Sequence, residues 1–258
     1  SNTITTVLND SDGVYINGGA PASTTAVNNS FLLNTIITQG NSSAGVNLVG
    51  SKNTRFESDI FNTSVWNSYG IEMGNGRNET FTNIQIIAPS SDDIRMTEES
   101  LYIRNSSFQK TNTTVLSGNL YTQWYAYTNV TNGTVPLPSI TVSEFRNTNI
   151  LLIESKLSNS SGQATLLVTE VNKSSGSNIW YYEPHTINAT GELVGNYPNS
   201  STVNFTTTNS TTIHLALAED LSPPNASFNG PASGPYGSAI TMNVTVLDDL
   251  RVANVSFR

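Results

Sequence analysis

A chain of 258 residues is long enough for one large apolar core or two to three small ones in series. Its net charge of -8, with only 11 Lys plus Arg, supplies no basic stripe for phosphates, which sets aside nucleic acid and makes an anionic membrane surface little better. With no Cys there are no disulfides, thiolate metal sites or Cys nucleophiles, and polarity is carried by Asn, Ser and Thr, 33 of each.

The first part of the chain repeats every 25 residues. Asn28, Asn53 and Asn78 fall in step, as do Phe31, Phe56 and Phe81, and then Ile36, Phe61 and Ile86. Gly45-Val46-Asn47-Leu48 is matched by Gly70-Ile71-Glu72-Met73 and, two residues early, by Asp93-Ile94-Arg95-Met96, with an earlier copy at Gly13-Val14-Tyr15-Ile16. Each block alternates short apolar stretches with Gly, Asn and Ser turns and shows no helical period. One block cannot bury its own face. Stacking the blocks at strand spacing sets Phe over Phe and aliphatic over aliphatic, so residues 1–117 are expected to form parallel β-helix coils with Phe31, Phe56, Phe81, Ile36, Phe61 and Ile86 as the core stack. Asn28, Asn53 and Asn78 are expected to point inward at a turn as a hydrogen-bonded ladder.

The stretches Asn53-Thr54-Arg55-Phe56-Glu57-Ser58-Asp59-Ile60 and Asn78-Glu79-Thr80-Phe81-Thr82-Asn83-Ile84 resemble the right-handed parallel β-helix repeats of NosD-like and pectate-lyase-like surface proteins. Only four or five coils fit in that length. The resemblance therefore implies further coils upstream, and a chain opening at Ser1 is expected to be a piece of a longer one.

From Gly118 the strands lengthen and alternate with period two, at Leu120–Tyr127, Ser139–Val142, Ala164–Val168, Asn178–Tyr182 and Thr211–Leu217, with turn clusters such as Ser158–Gly162 between them. An antiparallel β-sandwich over 118–219 is expected. The run Asn132–Val142 followed by Ser161–Thr165 resembles the carboxypeptidase-regulatory-like sandwich of many surface proteins. Residues 220–258, with Pro223–Phe228 and Ala239–Asp249, resemble the opening strands of a bacterial or archaeal Ig-like repeat. Three strands where seven belong predict an incomplete domain, completed either by chain beyond the segment or by strands donated from a neighbouring copy. The fold class is thus all-β: coils, then a sandwich, then a partial Ig-like domain.

Asn-x-Ser/Thr acceptors occur at 18 positions: Asn9, Asn28, Asn41, Asn62, Asn78, Asn105, Asn112, Asn129, Asn132, Asn159, Asn172, Asn188, Asn199, Asn204, Asn209, Asn225, Asn243 and Asn254. Composition alone would give roughly 8, so the density points to N-linked glycans on an extracellular or cell-surface chain. The ladder reading removes Asn28 and Asn78 from that set and leaves sixteen expected sites.

Chemistry has fewer candidates. Polysaccharide cleavage needs paired carboxylates, and the best cluster is Asp92, Asp93 and Arg95, with Glu72, Arg77 and Arg55 on neighbouring coils. A turn position for Asp93 favours a structural role. His185 and His214 lack a second ligand at metal spacing, and Asn9-Asp10-Ser11-Asp12-Gly13 has its Gly misplaced for a calcium loop. No metal or cofactor is expected. Alternation puts half of Trp124, Tyr125, Tyr127, Trp180, Tyr181 and Tyr182 inward, so core packing is their expected role, with stacking on sugar faces as the alternative. The expected function is a non-enzymatic structural or adhesive surface or filament protein. The alternatives are a carbohydrate-binding or polysaccharide-degrading ectodomain and a receptor-binding stalk.

Overall fold

The computed structural model describes residues 2–18, 26–88, 90–146, 151–175, 178–190, 199–205 and 209–217, with the strands Asn225–Asn229 and Asn243–Leu247. The chain is all-β, with no helix among the described residues. It divides into two compact units. The first comprises Ser1–Ala126, Leu167–Pro184 and Asn204–Thr211; the second comprises Tyr127–Leu166, His185–Val203 and Thr212–Arg258.

The first unit is built of coils whose short strands ladder in parallel with the next coil. One ladder joins Asn2–Thr6, Asn34–Thr38, Ile60–Thr63 and Gln85–Ile87. A second joins Val14–Asn17, Val46–Val49, Ile71–Gly74 and the first part of Ile94–Arg104. A third joins Ser30–Leu32, Arg55–Glu57, Glu79–Thr82 and the last part of Ile94–Arg104. The strand Thr113–Asn132 then lies parallel to Ile94–Arg104 over Thr113 to Gln123.

The strands are short because the backbone turns left-handed at fixed places. Asn28, Asn53 and Asn78 have φ of 58, 55 and 57°, and Leu33, Ser58, Asn83 and Asn105 form a second such column at 56, 58, 54 and 44°. Asp10, Ser42 and Asn67 form a third at 57, 55 and 58°. Asn, Asp and Gly tolerate this region at the least steric cost, which is why the chain is rich in Asn where it bends. Side chains in these columns bond from coil to coil, as in Asn105 Nδ2 to Asn83 Oδ1 at 2.6 Å and Asn67 Nδ2 to Ser42 Oγ at 3.1 Å.

Register puts like over like in the interior. Ile4, Ile36, Phe61 and Ile86 pair in one column, and Ile16, Leu48, Met73 and Met96 in another. Phe31, Phe56 and Phe81 stack with ring centroids 4.5 and 4.7 Å apart and planes within 6°, and Phe61 meets Phe56 and Phe81 edge-on. Phe56, Phe61, Phe81 and Ile36 are fully buried, and Phe31 is partly so. Gly70 sits where the coils approach closely: a Cβ there would meet Ile86 and lie 2.6 Å from the Asp93 carbonyl oxygen.

The sequence boundary at 118 falls inside a single strand, because Met96 pairs with Val115, Leu101 with Leu120 and Arg104 with Gln123. Residues 118–126 and 167–184 therefore belong with the coils, and the expected 118–219 block is shared between the units. The second unit holds an antiparallel sheet in the order Leu151–Leu157, Thr141–Arg146, His185–Thr190, Asn199–Val203. Period-two alternation there buries Ile187 and Ala189, and in Thr211–Ala216 it buries Ile213 and Leu215 while exposing His214. Asn225–Asn229 pairs antiparallel with Asn243–Leu247, and the rest of the segment read as Ig-like lies outside the described residues.

Candidate functional site

Four buried or half-buried carboxylates act between coils. Asp12 accepts from Ala44 N at 2.7 Å and Asn47 Nδ2 at 2.8 Å. Asp59 accepts from Asn34 N at 2.6 Å and Asn34 Nδ2 at 2.9 Å. Glu79 accepts from Thr54 N and from Ser51 Oγ at 2.8 Å, and Asp93 from Gln109 N at 2.5 Å and Asn112 Nδ2 at 3.2 Å. Each carboxylate thereby satisfies a backbone N–H that a strand ladder leaves open at a bend. Burial raises the pKa of Asp59, Glu79 and Asp93, and the bonds they accept offset part of that rise.

These contacts disperse the cluster expected for polysaccharide chemistry. Asp93 faces inward onto the following turn, whereas Arg95 Nη1 bonds Glu72 Oε1 at 3.0 Å and its guanidinium lies over the Tyr69 ring. Arg77 pairs with Glu99 at 2.5 Å, and Arg55 is exposed on its strand. Asp92 stays at the surface, in an open polar groove of about 470 Å³ with Ser90, Ser91, Gln109, Thr111 and Asn112. The segment Asn9–Gly13 is engaged in stapling: besides Asp12, Asn9 Oδ1 accepts from Asn41 N and Ser11 N donates to Ser43 Oγ, both at 3.0 Å. Among the described residues no group of three or more His, Cys, Asp or Glu is placed to hold a metal.

Two clusters escape the sequence because their members are far apart in it. Lys110 Nζ contacts both Glu170 oxygens, at 2.8 and 2.6 Å, and lies over the Trp124 ring, whose Nε1 donates to Glu170 Oε2 at 2.6 Å. Trp124 is thus an anchored core residue beside a recess of about 220 Å³. His185 Nδ1 lies 2.9 Å from Glu144 Oε1, both side chains fully buried, so His185 is not isolated; no signal in its own neighbourhood could have named Glu144. Tyr125 and Tyr182 are half-buried, and Tyr127, Trp180 and Tyr181 are exposed.

Asn28, Asn53 and Asn78 do form one column, with Asn53 Nδ2 donating to Asn28 Oδ1 at 3.4 Å. They sit at an outer corner rather than inward: Asn28 and Asn78 are exposed and Asn53 half-buried. An αL bend projects the short side chain away from the packed interior, which removes the reason for excluding Asn28 and Asn78 as acceptors. Among the other acceptors, Asn9, Asn41, Asn159, Asn204 and Asn209 are exposed. Asn62, Asn105, Asn112, Asn129, Asn132, Asn188 and Asn199 are half-buried. Asn172 differs: it is 8% exposed and its Nδ2 donates to Asn119 Oδ1 at 3.3 Å. The side chains of Asn225, Asn243 and Asn254 lie outside the described residues.

No family model matches the chain, and no curated protein matches it. Among solved structures it is similar to the shaft pilin SpaA from Lactobacillus rhamnosus GG, at 8% identity and a TM-score of 0.30. The match covers 42% of this chain and 54% of that one. A likeness that slight carries neither fold nor function across. Among the described residues no helix is long and apolar enough to cross a membrane.

Proposed function

We propose that this chain is an N-glycosylated, extracellular structural or adhesive module of a cell-surface or filament protein, of the parallel β-helix type that its repeats resemble. One observation carries the reading: acceptor asparagines recur along the chain at more than twice the chance density, and those in the described residues, Asn172 apart, are exposed or half-buried. Glycans are bulky and hydrated, so an array of accessible acceptors on a stack held by an unbroken apolar interior suits a persistent scaffold. The carboxylates that favoured polysaccharide chemistry support the scaffold instead, since Asp93 binds the next turn and Glu72 binds Arg95.

Intact-mass spectrometry of the chain from its native source, before and after removal of N-linked sugars, tests this directly. A large loss of mass on treatment is the expected result. An unmodified chain would overturn the proposal.

A further inference from the structure

The strand Leu151–Leu157 forms one edge of the antiparallel sheet in the second unit, with Thr141–Arg146 on its inner side. Its exposed apolar side chains, Leu151, Leu152, Ile153 and Leu157 at 53, 51, 37 and 65%, stand beside the charges of Glu154 and Lys156 and a bulge at Ile153. Natural edges are normally short, charged, bulged away or covered, because their open N–H and C=O groups template pairing with another chain.

The edge also carries a pattern that matches itself. Ser158 N donates to Ile140 O at 2.9 Å, and antiparallel alternation from that pair turns the backbone groups of Lys156 and Glu154 inward and those of Ser155 and Leu157 toward the open side. A second copy laid antiparallel about a twofold axis at Ser155 would use those open groups. That same register sets Glu154 opposite Lys156 of the other copy, twice, on one face, while Ile153, the extra residue of a bulge, lies where the regular pairing ends. Glu154 and Lys156 already approach to 2.9 Å within one strand, and Lys156 Nζ also donates to Thr165 O at 2.6 Å, so the second copy would add a carboxylate to an ammonium that is already held in place.

We infer that Leu151–Leu157 is a homodimerisation edge, pairing antiparallel with its own copy in the register centred on Ser155. This goes beyond the glycoprotein reading and does not rest on it. A strand of this length buries less than the roughly 1,200 Å² of a stable complex, so the association is weak and concentration-dependent.

Sedimentation velocity on the chain free of glycans, across about 1 to 100 µM, tests it. The expected result is a rise toward twice 27.7 kDa with concentration. Glu154→Lys or Lys156→Glu alone places like charges opposite one another and should weaken the dimer about tenfold or more. An equimolar mixture of these two variants should restore it, because each then faces its opposite, and unfolded chains could not produce that rescue. Ser155→Pro, which removes one open-edge N–H and no inner one, should be monomeric with an unchanged β circular-dichroism spectrum. A wild-type monomer at every concentration would overturn the inference. So would a dimer indifferent to these variants, or a failure of the mixture to re-associate.

Discussion

A single buried carboxylate illustrates how the coils are fastened. Asp59 is fully buried and accepts both the backbone N–H and the side-chain amide of Asn34, one coil away. Removing it leaves an N–H without its acceptor, so Asp59→Ala should destabilise the first unit by about 1–3 kcal/mol, read from a urea midpoint. The pH dependence has the opposite sign to ordinary acid unfolding. Because burial raises the Asp59, Glu79 and Asp93 pKa values, the fold binds their protons more tightly than the unfolded chain does. Their contribution is fully present below about pH 4 and is lost as pH rises through the raised values. Asp59→Asn keeps an acceptor but does not titrate. The midpoint of this variant relative to wild type should therefore climb with pH, and a constant difference between pH 4 and 8 would show that Asp59 ionises normally.

At the scale of the coil, stability resides in columns rather than in any one strand. Phe56 is sandwiched between Phe31 and Phe81 and touched edge-on by Phe61, whereas Phe31 has one ring neighbour in the stack and is only partly buried. Phe56→Ala should cost about 3–5 kcal/mol and Phe31→Ala distinctly less; equal losses by denaturant titration would mean that the rings do not pack as one stack. The columns were legible because a 25-residue step puts identical residue types in register, as at Phe31, Phe56 and Phe81. The outer coils were harder to read. Ile4 pairs with Ile36, Ile71 with Ile94 and Ile94 with Thr113, so loops of different length break the step while the strands stay aligned. The carboxylate staples were not legible as a repeat, although Asp59 lies one 25-residue step from Asn34 and Glu79 one step from Thr54, because the residue types in those columns differ. The change of strand length at Gly118 was real, yet the coil continues through it because Thr113–Asn132 ladders onto Ile94–Arg104 as far as Gln123. Pairing of His185 with Glu144 depends on sheet register, which local sequence does not encode.

At the scale of the whole molecule, acceptor asparagines lie outside a packed apolar interior. Corner columns such as Asn28, Asn53 and Asn78 place short polar side chains outward where the backbone bends, so Asn28 and Asn78 suit the fold and keep an acceptor motif at the surface, whereas Asn53 carries none. That coincidence also sets a limit: an acceptor in the sequence is accessible only where its strand face is. Asn172 satisfies the motif as well as Asn41 or Asn159 does, but it is directed at Asn119 beneath the surface. Site-resolved glycopeptide mass spectrometry of native material separates these cases most directly. The account predicts modification at exposed positions including Asn9, Asn41, Asn159 and Asn209, and none at Asn172. Sugars at Asn172 with bare asparagines at the exposed positions, or no sugars anywhere, would contradict it.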